Sequence, residues 1–543
     1  MFAPPAAAQQ MAVAGPGAVQ GAPVGAQGAA VVETGEVVDP LSILLERSLA
    51  ARPATADETT SLLYLQRAYR PLWDDAARAG ALLAALERLD THGLDARDFE
   101  PERLRSQLAV PADIEARVTR ELLLSDTLAR VVKQLRYGKL DPRTLYREWN
   151  FTPPANPYAR ALALAQLLQR ADLQAAIEAQ APSSPLYRAL QAALAEYAVQ
   201  AASGDWPTIP AGPTLRPGQR SARVPALRAR LALDGEEGLD AVSDARRYDP
   251  ALEAAVERFQ LRHGLAADGI VGGQTLRALN TSPAERADQI RANLERLRWV
   301  SADLGGDRLY VDIVGYHADL VLDGQTVWAS RVIVGKPTRK TPSLRDSVVN
   351  LVLNPKWVVP PTIMREDVIP AAARNPAYLA NHRLRVVGRG GQTVDPATID
   401  WEAARRSGLG YMVVQESGAR GSLGRIKFAL SNPYAIYLHD TNARGLFGRA
   451  ERALSSGCVR VQNPEDLAVL LLDAPDTWSP EALQAALDSG RTRTVPVGRD
   501  VPVLLHYTTA ALDEAGRLQL RNDIYDHDRA IVDALAAPPR LLD

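Results

Sequence analysis

The sequence predicts a multidomain α+β protein, with a helical first half, a small helical module and a mostly-β second half. Three observations lead there. The chain has 543 residues, too many for one core and enough for about three or four domains. Leucines up to about residue 200 recur at three- and four-residue steps, whereas apolar residues alternate at period two from about residue 307. Between these halves, residues 201–220 hold Gly204, Pro207, Pro210, Gly212, Pro213, Pro217 and Gly218, the composition of a linker.

Residues 1–38 are mainly Ala, Gly, Pro, Gln and Val; they bury too little to order themselves, and a disordered leader is expected. No signal peptide is evident, since a positive start and a continuous apolar stretch are both missing. The small-residue opening from Ala3 to Ala8 would suit a segment that follows a signal lying upstream. Residues 39–202 read as a helical scaffold. Leu41, Leu44, Leu45 and Leu49 form one stripe and Leu82, Leu83, Leu86 and Leu89 another. Pro101-Glu102 starts a new helix, and Pro153-Pro154 interrupts before an Ala/Leu-rich run over 158–200.

After the linker, placed at 203–220, a small helical unit spans 221–282. Leu252, Val256 and Phe259 form its core face, and Asp268-Gly269-Ile270-Val271-Gly272 is a turn leading into a helix. Strands are expected at 309–314, 327–334, 348–353, 428–430, 435–439 and 501–507. A helical or irregular excursion should cover about 361–415, with a helix from near Pro464 and a closing helix over 526–535. Many short strands favour a β-sandwich or barrel-like domain over a doubly wound sheet. That domain is placed at 300–500, and residues 501–543 supply a strand and helix that complete it.

Composition excludes several functions. A net charge of -2 without basic runs argues against nucleic acid as a main ligand. No uncharged apolar stretch reaches about 18 residues, so no transmembrane span is expected. One cysteine permits no internal disulfide, and with seven scattered histidines it gives no zinc-ligand spacing, so no metal and no cofactor is expected.

Two segments carry chemistry: Ile436-Tyr437-Leu438-His439-Asp440-Thr441 and Ser455-Ser456-Gly457-Cys458-Val459-Arg460-Val461. A thiol becomes a strong nucleophile when a base favours the thiolate, and histidine can take and return that proton. Neighbouring strand ends can bring His439 and Cys458 together across the loop between them. Gly457 lets a carbonyl approach closely, and the N–H groups of Gly457 and Cys458 could make an oxyanion hole. Tyr437 shares a strand face with His439 and offers a hydroxyl donor. Arg460 lies on the Cys458 face, to orient the loop or meet a substrate carboxylate. Asp440 reads equally as an orienter of His439 or as a turn residue, and Lys427 and Arg425 as solvated or structural.

The run from His439 to Val461 resembles the signature of L,D-transpeptidase catalytic (YkuD-type) domains, with Ser456 where the family often has histidine. The wider chain is similar to the large YcbB-like branch. Tyr69-Arg70-Pro71-Leu72-Trp73 and His92-Gly93-Leu94 match its helical scaffold, and Asn354-Pro355-Lys356-Trp357, Lys427-Phe428 and Leu446-Phe447 match its catalytic part. Residues 221–282 resemble peptidoglycan-binding domain 1.

The resemblance implies a YkuD-type catalytic domain whose 356–422 insertion is a capping or lid subdomain, with Trp357 near its base. It implies that Cys458 attacks the bond between diaminopimelate and D-alanine, that His439 shuttles the proton, and that 3–3 cross-links result. Water or a lipoprotein lysine as acceptor would instead give an L,D-carboxypeptidase or an anchoring enzyme; a non-catalytic peptidoglycan-binding scaffold is the lesser alternative. It further implies a periplasmic location, carbapenem sensitivity, and peptidoglycan stem peptides and glycan strands as partners, with cell-wall synthases also possible. The third catalytic group stays open, a backbone carbonyl near Asp440 being one candidate.

Overall fold

The computed structural model describes residues 39–54, 57–204, 206–236, 238–239 and 244–537; the expected leader lies outside them. Helices between Pro40 and Glu178 share one core, in which Leu45, Leu63, Leu82, Leu86 and Leu128 are fully buried. The next helix, Pro185–Ala202, joins a different cluster. Its Tyr187, Leu190 and Leu194 pack on Ile290, Leu294 and Leu297 of the helix Pro283–Val300. Ser282 and Glu285 cap that helix reciprocally and Pro283 opens it. Nearly all of its residues are buried, polar ones included, because it forms a spine between the scaffold and the β domain.

The three-helix module packs Val224, Leu227, Leu252, Val256 and Phe259 together. Part of the expected linker belongs to it. Ile209 and Leu215 are buried in its core, Leu215 pairs with Val271, and Asn280 holds both backbone groups of Ile209. Apolar side chains at these two positions explain why a Pro/Gly-rich composition did not leave the segment loose.

The β domain starts with β1 (Arg308–Asp312), β2 (His317–Leu322), β3 (Gln325–Gly335) and β4 (Leu344–Leu353). An insertion contributes β5 (Trp357–Val358), β6 (Leu384–Val387), β7 (Thr393–Val394) and β8 (Met412–Gln415). The chain returns through β9 (Ile426–Leu430), β10 (Leu438–His439), β11 (Ala453–Ser455), β12 (Val459–Val461), β13 (Arg493–Pro496) and β14 (Pro502–His506). It ends in a hairpin, β15 (Ala510–Leu512) and β16 (Leu518–Leu520), and the helix Asp528–Ala536. The order β3-β12-β10-β9-β4-β14-β1-β2 returns to β3, so the main sheet closes on itself. Strands β3 and β4 turn the corners, because the first part of each pairs with one sheet and the later part with the other. The core holds alternate residues of these strands with Leu467, Ala468 and Leu471 from the helix Pro464–Leu472.

Three sequence expectations need correcting. The excursion expected over about 361–415 contains the strands β6, β7 and β8, which join β5 in a four-stranded sheet, β5-β8-β6-β7, with its own core around Val368, Ile369, Val386 and Val413. Two of those strands are only two residues long and leave no period-two signature. The strand expected over 435–439 shrinks to Leu438–His439, because Ala435 has φ +57° and the Asn432 side chain ties down the N–H groups of Tyr434 and Ile436. The β15–β16 hairpin was not foreseen; it receives the three-helix module, with His263 Nδ1 at 2.8 Å from the Leu520 carbonyl and Gln519 donating to that of Leu261.

Candidate functional site

Three adjacent strands build the floor of the site. β10 runs parallel to β12 with Leu438 opposite Val459 and His439 opposite Arg460. It runs antiparallel to β9 with His439 opposite Lys427. Leu438, Val459 and Phe428 point into the core, so alternation turns Tyr437, His439, Cys458, Arg460 and Lys427 to the other face.

That face floors a cavity of about 610 Å³, roofed by the insertion through Trp357, Thr362, Tyr378, His382 and Leu384. Trp357 pairs with Gln415 across β5 and β8, and it lines the cavity together with Tyr437.

The Cys458 loop is tied from several sides. Ser455 Oγ donates to the Cys458 carbonyl at 2.6 Å and accepts the Gly457 N–H at 3.1 Å. Thr341 Oγ1 donates to the Gly457 carbonyl at 2.7 Å. Gly457 itself has φ +118°, a conformation open to glycine and costly for other residues. The Gly457 N–H, expected as an oxyanion donor, is therefore engaged within the loop. No acceptor among the described residues uses the Cys458 N–H. Ser456 Oγ accepts from Arg339 at 3.0 Å, and Arg339 also pairs with Glu366 and Asp367 of the insertion.

Cys458 is half-buried and its thiol donates weakly to the Ala435 carbonyl at 3.5 Å. Burial pushes the thiol up; the backbone N–H and hydroxyl of Tyr437, then Lys427 and Arg460, pull it down. His439 is buried, and Nδ1 lies 2.5 Å from the Asp440 carbonyl. A carbonyl only accepts, so Nδ1 carries the proton and Nε2 keeps its lone pair. Burial, then the charges of Arg460 and Lys427, hold His439 down to about 3. No hydrogen bond joins His439 to Cys458 here, and apo catalytic pairs commonly tighten only on substrate.

Asp440 orients His439 through its carbonyl and not its carboxylate, which binds Arg444 and the Arg425 N–H. Lys427 departs from its expected solvated or structural part. It is half-buried with Nζ 4.1 Å from the Tyr437 ring centroid, close enough to feel the Cys458 charge. Its position depends on strand register, which the sequence does not display. Arg339 was missed as well, since its partners lie across the insertion. Among the described residues no group of three or more His, Cys, Asp and Glu could hold a metal, and no helix is long and apolar enough to cross a membrane.

Comparison with known proteins agrees with this architecture. Residues 306–497 match the family described as L,D-transpeptidase catalytic domain, residues 58–194 a scaffold domain, and residues 220–279 a domain described as “Putative peptidoglycan binding domain”. A Haemophilus influenzae protein named “Putative L,D-transpeptidase” is 36% identical over 286 residues, covering 51% of this chain and 57% of that protein. A zinc D-Ala-D-Ala carboxypeptidase of Streptomyces albus G is 32% identical over 90 residues, covering 17% of this chain and 31% of that protein. The chain thus matches less than two thirds of either relative's length. Among solved structures, an L,D-transpeptidase from Xylanimonas cellulosilytica aligns with 17% identity and a TM-score of 0.17, covering 55% of this chain and 99% of that one.

Proposed function

We propose that this chain, whose residues 306–497 belong to the L,D-transpeptidase family, cross-links peptidoglycan stem peptides through a thioester on Cys458. The observation that carries the reading is the strand register, which sets Tyr437, His439, Cys458 and Arg460 on one face beneath a roofed cavity.

His439 Nε2 takes the Cys458 proton and the sulfur attacks the carbonyl that joins diaminopimelate to the terminal D-alanine. The Cys458 N–H and the Tyr437 hydroxyl are the donors nearest the developing oxyanion. Gly457 contributes its unusual backbone instead of its N–H. The C–N bond breaks, His439 returns the proton to the departing D-alanine amine, and a thioester remains. The side-chain amine of a second stem then displaces the sulfur, giving a 3–3 cross-link. Ser456 holds the loop to Arg339, Arg460 meets substrate, and Trp357 closes the roof over Tyr437. The module at 221–282 holds glycan strands, cell-wall synthases supply them, and a periplasmic location follows from the substrate.

The test is incubation of the protein and its Cys458→Ala variant with a diaminopimelate-containing disaccharide tetrapeptide, read by mass spectrometry. D-alanine release with 3–3 dimers, lost in the variant, is the expected result. Tripeptide monomer alone would make the enzyme an L,D-carboxypeptidase, and no product from either protein would overturn the reading.

A further inference from the structure

His439 is flanked by a cation on either side, directly opposite it in register: Arg460 on β12 and Lys427 on β9. Neither cation has a carboxylate partner among the described residues. The Arg460 guanidinium makes no hydrogen bond or ion pair with a described residue; its Nε is buried without an acceptor, and its side chain lines the cavity. Lys427 rests on the Tyr437 ring with no ion pair to a described residue. The one acidic side chain lining the cavity, Asp367, is already paired with Arg339. Two partly buried cations beside a base are costly, and both oppose an imidazolium between them. The other groups facing His439 are Tyr437, Cys458 and the Asp440 carbonyl, none of which offers a fixed negative charge.

We propose that Arg460 and Lys427 read a free carboxylate on the acyl donor, and that this carboxylate enables His439 to accept the Cys458 proton. The inference rests on the acyl-transfer reading and deepens it: the donor class is a peptide whose departing amino acid carries a free C-terminal carboxylate. With the carboxylate seated at the guanidinium, its charge offsets the two cations. The proton passes from Cys458 Sγ to His439 Nε2, the sulfur bonds to the carbonyl carbon, and the proton leaves with the amine. Arg460 touches the donor; Lys427 is a positioning residue acting through Tyr437 and the local field.

A probe pair separates this from cross-linking itself. Iodoacetate and iodoacetamide alkylate the same thiolate with loss of iodide, and only the first carries a carboxylate. The ratio of their rates at Cys458, at pH 7 and low salt, should be at least ~10-fold higher in the full chain than in R460Q, with an intermediate value in K427M. A ratio unchanged in K427M and R460Q would overturn the proposal, and each variant stands alone if the other fails to fold. In parallel, an amide-capped tetrapeptide donor should react at least ~10-fold more slowly than the free acid, the gap closing in K427M. Equal rates for the two donors would also overturn it. If the alkylation ratio responds but no stem peptide is processed, carboxylate reading stands and the proposed function falls.

Discussion

The spine helix and the site face both bury positive charge, and they treat it in opposite ways. On the spine, Arg298 and Glu295 have side chains with 0% exposure and pair at 2.5 Å, while Arg296 meets Asp528, itself held by Thr509. On the site face, Arg460 and Lys427 meet no acid among the described residues. A buried charge without a partner is destabilising by several kcal/mol unless it neutralises. The spine therefore uses its charges to hold two domains together, and the site keeps an unsatisfied field that a ligand can complete. A functional face should then tolerate changes that would unfold the spine.

The largest expected effect falls on the site alone. Cys458→Ala should lower turnover of a tetrapeptide donor by at least ~10⁴-fold, while the melting temperature stays within about 2 °C of the parent. Among the described residues the thiol donates a single weak hydrogen bond, to the Ala435 carbonyl, so its loss removes chemistry and little packing. A large drop in melting temperature would mean that the thiol also supports the fold, and the contrast would fail there.

The mirror experiment is on the spine. Glu295 accepts from Arg298, from the Leu140 N–H at 2.8 Å and from the Trp299 indole at 3.1 Å. Glu295→Ala takes the acceptor from the Leu140 and Trp299 N–H groups and the carboxylate from Arg298, which keeps only the His92 carbonyl and the Tyr187 hydroxyl. About 3–5 kcal/mol of stability should be lost, measured by urea denaturation, and Glu295→Gln should recover part of it. A loss below about 1 kcal/mol would show that the pair is replaceable and would collapse the distinction between the two regions.

Acid titration sharpens the same comparison. Burial holds His439 down to about 3 and His92, His506 and His527 down to about 4. An unfolded chain binds those protons near pH 6.5. Between about pH 4 and 6.5 the unfolded state carries more protons, so stability rises with pH there and is flat above. Each such histidine contributes a slope of up to about 1.4 kcal/mol per pH unit. Melting temperature should fall from pH 7 to pH 5. Lys427→Met should raise the His439 titration, followed by NMR, and leave those of His92 and His506 in place. Equal movement of all three would mean that the field is not local to the site.

How much of this could be read beforehand depends on the range of the interactions involved. Cys458, Gly457 and Arg460 are neighbours in the chain, and His439 precedes them by one loop, so their association was readable as a motif. The helical scaffold and the β domain were visible as periods of three to four and of two. Lys427 was not readable, because its place beside His439 comes from the β9–β10 register, a long-range pairing. The fate of the Gly457 N–H was hidden for a different reason: Ser455 lies two residues away, but a hydroxyl's choice of partner is a matter of local geometry. Asp440 shows the same limit, with its carbonyl and carboxylate going opposite ways.

The smallest effect tests how the roof is joined to the floor. Arg339 bridges Ser456 on the Cys458 loop to Glu366 and Asp367 on the insertion. The acids are about 40% exposed, so solvent screens the pairs and they add little to global stability. Arg339→Ala should leave global stability nearly unchanged. It should increase protease cleavage within residues 356–422 about two- to fivefold, a factor set by a change of about 0.5–1 kcal/mol in local opening. Since Arg339 fixes Ser456 without touching Cys458, iodoacetamide should alkylate the sulfur faster in the variant if the roof limits access. An unchanged alkylation rate with increased cleavage would place the bridge's effect in the insertion alone and leave the cavity's closure to Trp357 and the other residues that roof it.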